Sequence, residues 1–147
     1  MWGMKMDIVA GLQNKNDKEA HQLLLQLESR SAVTDELYDY FDDFLGLLKG
    51  KSSYVRTRGF RLICAQTQWD HENKIEQNID ALLSILDDEK PTAVRQCLAA
   101  LHNVVLYQPK LSEFIEIKLD QMDLSKYKDS RSPLIQKDID ELRNMMG

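Results

Sequence analysis

The feature that most constrains this chain is that it repeats itself. Val55-Arg56, Gly59 and Leu62 recur 39 residues later as Val94-Arg95, Leu98 and Leu101. A step of 39 back from Gly59 and Leu62 lands on Ala20 and Leu23, and a step of 41 forward from Leu98 and Leu101 lands on Ile139 and Leu142. Four segments therefore share one apolar register. In the clearest of them, Ser53 to Ala65, the residues Val55, Gly59, Leu62 and Ile63 fall at helical spacing and form one stripe, with Arg56, Arg58 and Arg61 off it. Each segment follows another apolar stretch: Ile8 to Leu12, Leu37 to Leu48, Ile75 to Leu86 and Phe114 to Met122. Two of these match residue by residue at a step of 38, Phe41, Asp42, Phe44, Leu45, Leu47 and Leu48 answering to Ile79, Asp80, Leu82, Leu83, Ile85 and Leu86.

A paired-helix unit with a period of roughly 40 residues is the spacing of HEAT and armadillo repeats. The pattern predicts an all-α chain, a HEAT/armadillo-like α-α superhelix of about four helix pairs. It forms a single domain over residues 1–147, with approximate repeats at 6–31, 34–68, 72–107 and 110–146. A chain of this length buries roughly 70% of its unfolded surface, so neither a metal nor a disulfide is required for stability. Only 6 Gly and 3 Pro interrupt it, which suits helices with short connections. No window of about 20 apolar residues occurs, and the opening Met1-Trp2-Gly3-Met4-Lys5-Met6-Asp7 lacks the apolar core of a secretory signal. A cytoplasmic protein without a membrane partner is expected, with Met1, Met4 and Met6 as alternative starts.

Local signals place the helix ends. Asn16 or Asp17 caps a helix from Lys18 to Ser29 whose stripe is Ala20, Leu23, Leu24 and Leu27, and Thr34 or Asp35 caps the next. Gly50 suits a left-handed helix terminus. Pro91 suits the first turn of a helix from Thr92 to Tyr107, which Gln108-Pro109 stops. Ser132 and Pro133 serve as cap and first residue for the helix from Leu134 to Met146.

The residues that could carry chemistry are few. Asp39, Asp42 and Asp43 share a helix face, but cation cages recruit more oxygens from a constrained loop, so this is read as a solvated face. Arg56 and Arg95 occupy the same register beside acidic segments, which predicts Asp–Arg pairing between neighbouring units, with Asp87 or Asp88 near Arg95. Arg58 and Arg61 have no counterparts and are the better binding candidates, because a guanidinium grips carboxylate or phosphate in a bidentate fork. Trp69 reads as an apolar plug at a helix end. Asp70, His71 and Glu72 are consecutive, so they point apart and do not converge on one atom. Cys64 and Cys97 are read as buried, reduced thiols. No metal, no cofactor and no catalytic residue is expected.

Several tracts carry a resemblance. Tyr54-Val55-Arg56-Thr57-Arg58-Gly59, Asp88-Glu89-Lys90-Pro91 with Ala93 and Arg95-Gln96-Cys97, Tyr127-Lys128-Asp129-Ser130, and Pro133-Leu134-Ile135-Gln136-Lys137-Asp138-Ile139 look like those of small HEAT-like helical repeat proteins of Firmicutes. The label "SufBD protein" is often attached to that family. The resemblance runs from about Met6 to Leu142 and implies an all-helical repeat fold; the label points to an accessory role in iron–sulfur cluster assembly.

Stacked helix pairs present an extended face, with the second helices lining it, that suits another macromolecule. The candidates on it are Arg58, Arg61, Gln66, Trp69, Arg95, Gln96, His102 and Lys137. The expected function is a non-enzymatic protein–protein interaction or scaffold module whose partner is a protein or peptide, of acidic character if the arginines face it. An alternative is a nucleic-acid-binding enzyme resembling HEAT-like alkylbase DNA glycosylases, with Trp69-Asp70 near Arg58 and Arg61. A net charge of -5 and a pI near 5.2 oppose it, since phosphate binding calls for a basic surface. Self-association through an end of the stack, where Met145-Met146 lies, is a third option. The shared register is testable by stability: Leu62→Ala and Leu101→Ala should each cost about 2–5 kcal/mol in urea unfolding, and losses below about half a kcal/mol would overturn it.

Overall fold

The computed structural model describes residues 5–147 and is all-helical, with no strand among the described residues. In order come α1 (Lys5–Leu12), α2 (Asp17–Ser31), α3 (Phe41–Leu47), α4 (Ser53–Ala65), α5 (Lys74–Gln77), α6 (Ile79–Leu83), α7 (Pro91–Tyr107), α8 (Ser112–Gln121) and α9 (Ser132–Met146). Single 3-10 turns at Glu36–Tyr40, Thr67–Trp69, Ser84–Asp87, Pro109–Leu111 and Leu124–Lys126 join or extend them. The alternative starts at Met1 and Met4 lie outside the described residues. No described helix is long and apolar enough to cross a membrane.

The long helices form one layer in chain order: α4 packs against both α2 and α7, and α7 packs against α9. The shorter segments pair with them, α1 on α2, α3 on α4, the turn after α6 on α7, and α8 on α9. The stripes read from the sequence are the faces that meet. Ala20, Leu24 and Leu27 of α2, Leu62 and Ile63 of α4, Val94, Leu98 and Leu101 of α7, and Ile135, Ile139 and Leu142 of α9 are all buried in one continuous core.

Capping fixes where the long helices begin. The Asn16 side chain accepts a hydrogen bond from the Glu19 backbone N–H, and the Ser52 side chain accepts one from Tyr54. Pro91 sits in the first turn of α7, where its missing N–H leaves no partner wanting. Two expected boundaries come out differently, and a third is decided between its two candidates. Gly50 is not left-handed: its amide closes a tight turn onto the Leu47 carbonyl at 3.0 Å, and its lack of a side chain matters because a Cβ would lie 3.2 Å from Val55. Ser132 is already helical, with Arg131 at the cap position. Thr34 Oγ1, not Asp35, accepts from a backbone amide, that of Glu36 at 3.0 Å.

The segment Ile75 to Leu86 is also broken, at Asn78. Its side-chain amide donates to the Lys74 carbonyl at 2.7 Å, which also accepts the Asn78 backbone N–H at 3.2 Å, so the side chain adds a local bond at the break. The residue in the left-handed region is Asn73, at φ 56°. There the Asp70 carboxylate turns the chain by accepting the backbone amides of Lys74 and Ile75 at 2.9 and 3.0 Å.

The tightest point of the core is the crossing of α3 and α4 at Gly59. A methyl group there would lie 2.8 Å from the Phe44 carbonyl oxygen and 2.7 Å from Leu47 Cβ, so the helix backbones themselves would have to separate. Gly59→Ala is therefore expected to destabilise the protein by about 1–3 kcal/mol despite its higher helix propensity, as measured by urea unfolding.

Candidate functional site

The face of the long-helix layer spanning α2, α4 and α7 carries two cavities in line. The first, about 360 Å³, lies toward the N-terminal ends of the three helices and is walled by Leu24, Tyr54, Thr57, Pro91 and Ala93. The second, about 240 Å³, lies toward their C-terminal ends against Ala65, Ala100, Asn103 and Tyr107. Between them runs a polar bridge. Arg61 donates from Nε and Nη2 to the two Glu28 carboxylate oxygens at 2.9 and 2.7 Å, and from Nη1 to Gln96 Oε1 at 3.0 Å. One α4 side chain thus ties α2 to α7 across the groove. Tyr54 is 60% exposed and Tyr107 45%, so an aromatic ring stands open at each end.

The eight candidate residues divide sharply. Arg61 and Gln96 meet in the bridge just described. Arg58 is not on the surface: it is 5% exposed, and its guanidinium donates to the Leu12 carbonyl at 2.9 Å and to Asp17 Oδ1 at 2.8 Å. It satisfies the last carbonyl of α1 and the first turn of α2 at once, which is how a charged residue is tolerated in a helix interface. Gln66 is fully buried at the end of α4, its amide donating to Ser31 Oγ at 2.8 Å and to the Leu62 carbonyl at 3.1 Å. Trp69 is half-buried and spends its indole N–H on the Ser31 carbonyl at 2.7 Å. These three are structural ties between helix pairs: Arg58 and Gln66 are enclosed, and Trp69 keeps part of its ring at the surface.

Arg95 pairs with Asp138 at 2.7 Å, and Arg56 with Asp88 at 2.7 Å, so both arginines are held by an aspartate from elsewhere in the chain. Asp88 serves Arg56, however, and not Arg95, because the turn after α6 lies over the N-terminal end of α4. Lys137 is exposed on α9 and His102 is partly buried on α7, away from the two cavities.

A second polar cluster went unread in the sequence. The Tyr38 hydroxyl donates to Asp70 Oδ1 at 2.6 Å, and Gln108 Nε2 donates to Asp70 Oδ2 at 3.2 Å and to the Thr67 carbonyl at 3.1 Å. Burial raises the Tyr38 phenol well above its ordinary value, with the Asp70 carboxylate it donates to adding to the shift. Asp70 is buried while His71 and Glu72 are exposed, so the three consecutive groups do diverge. The cluster gathers residues 38, 70 and 108, which only the folded chain brings together. Its one sequence signal was an aspartate three residues before a left-handed Asn73.

Cys64 and Cys97 are both buried, and burial pushes both thiols far up, so they stay protonated at neutral pH. Among the described residues no group of three or more His, Cys, Asp or Glu is placed to hold a metal ion. No family model matches the chain, and no curated protein or solved structure matches it. The division between buried and surface arginines is measurable. Arg58→Met should lower unfolding stability by about 1–3 kcal/mol because it leaves a buried carbonyl without a donor. Lys137→Met should change it by less than about 0.5 kcal/mol, both read from urea titrations.

Proposed function

We propose that the chain is a short HEAT-like helical solenoid acting as a non-enzymatic interaction module, which holds another protein or peptide on its layer of long helices. The single observation that carries this is the groove: α2, α4 and α7 lie side by side in chain order, and two adjacent cavities run across them between exposed tyrosines. The solenoid reading is supported by pairing that recurs with the sequence register. Arg56 and Arg95 stand 39 apart, and each holds a carboxylate of the next unit, Asp88 and Asp138. The single domain with repeats near 6–31, 34–68, 72–107 and 110–146 is part of the same proposal.

The charge state of the groove bears on the partner. An acidic partner was expected from free arginines, but Arg58 and Arg61 already hold Asp17 and Glu28. Those same pairs withdraw the cations on which glycosylase-like nucleic-acid binding would draw, and the buried thiols offer no ready ligands for cluster assembly. The test is affinity capture from a native lysate by wild type and by a Gln96→Arg/Ala100→Arg double variant, each with and without nuclease. Wild type should retain a defined protein that the variant loses. Capture abolished by nuclease, or equal in both, would overturn the proposal.

A further inference from the structure

Resting on the reading of this face as an interaction surface, we propose that its occupant is an extended, electrically neutral peptide segment whose apolar side chains at positions i and i+4 seat in the two cavities. Charge complementarity selects a neutral occupant. Along the groove Arg58 is held by Asp17 and Arg61 by Glu28, each at 2.7–2.8 Å. An acidic segment would gain little there without first breaking a formed pair, and a basic one would compete with Arg61 for Glu28. Lys90 also borders the first cavity, where it is exposed and its charge is screened by water and salt.

Hydrogen-bonding capacity selects an extended backbone over a helix. Beside their bonds within the protein, the groove's carboxamides keep both kinds of capacity: Gln96 Nε2 is left to donate, and Gln68 Oε1 and Asn103 Oδ1 are left to accept. An extended strand presents free N–H and C=O groups to such amides. A helix has already satisfied its own.

Spacing then sets the register. Along α4 the first cavity is lined by Ser53, Tyr54, Thr57 and Arg58 and the second by Arg61, Cys64 and Ala65, stretches whose midpoints lie about eight residues, or about 12 Å of helical rise, apart. An extended chain advances about 3.3 Å per residue, and its side chains return to the same face every second residue. Four residues therefore cover about 13 Å and bring the side chain back to the groove. The residue at i meets Leu24, Tyr54 and Pro91, the one at i+4 meets Ala65, Ala100 and Tyr107, and the backbone between them crosses the Arg61–Gln96 bridge.

The test is selection of a random peptide library displayed on phage against the full chain, followed by fluorescence anisotropy of synthetic peptides from the consensus. The expected consensus has apolar residues at i and i+4 and no net charge. Moving the second apolar residue to i+3 should weaken binding by about thirtyfold, the size of a hot-spot loss. Ala100→Phe, which fills the second cavity, should do the same, with retention of the helical circular dichroism spectrum as the control. Because the peptide series runs on wild type alone, the outcome does not depend on how that variant folds. A consensus that is acidic, or that spaces its apolar residues as an amphipathic helix, while still sensitive to Gln96→Arg, would overturn this occupant and leave the interaction face standing. Selection of nothing, or of peptides indifferent to both groove substitutions, would overturn the occupant and the face together.

Discussion

Everything in this molecule hangs on how closely α4 can be approached. It is the one helix touched by α1, α2, α3 and α7, and at Gly59 its backbone comes so near α3 that not even a methyl group fits between them. That contact sets the depth at which α4 sits. Depth in turn decides which of its side chains reach the groove and which are swallowed: Arg61 emerges to span α2 and α7, while Arg58, three residues earlier, is carried inside. One missing side chain thus separates a buried tie, Arg58, from a bridge, Arg61.

The pairs of helices are held to each other by more than apolar burial. Beside the common core, the α2–α4 and α4–α7 junctions each have a polar stitch at the far ends of the long helices. Gln66 reaches back to Ser31 and Gln108 reaches back to Thr67, and each of these glutamines leaves its carbonyl oxygen without a partner. A buried acceptor left unpaired carries a cost, so a glutamine in this position contributes geometry as much as energy: its amide fixes how far one helix end can slide past the next.

The all-helical architecture was legible in the sequence because burial on a helix leaves a periodic trace. In the register of Leu23, Leu62, Leu101 and Leu142 the last three are buried and Leu23 is half-buried against the core, and Cys64 and Cys97 are buried as read. The candidate site was only partly legible, for a physical reason. Hydrophobic spacing marks which residues face inward but not how deep the helix lies, and a long side chain such as Arg58 changes character with an ångström or two of depth. Gln66 failed the same way, polar in type but fully enclosed. Arg61 and Gln96 were singled out, yet their meeting depends on the lateral alignment of α4 and α7, and the Tyr38–Asp70–Gln108 cluster on contacts between residues far apart in the chain.

The uneven enclosure of the arginine ties gives the molecule a direction. At the α1–α2 side, Arg58 is sealed from water, and in the middle the Asp88 side chain that holds Arg56 is 4% exposed. Toward the other end the ties lie open: the Arg95 side chain is 40% exposed, and Arg143 holds Glu116 and Asp120 at the surface, where water and salt screen the attraction. Added salt therefore loosens the ties that α9 makes before those that α4 makes.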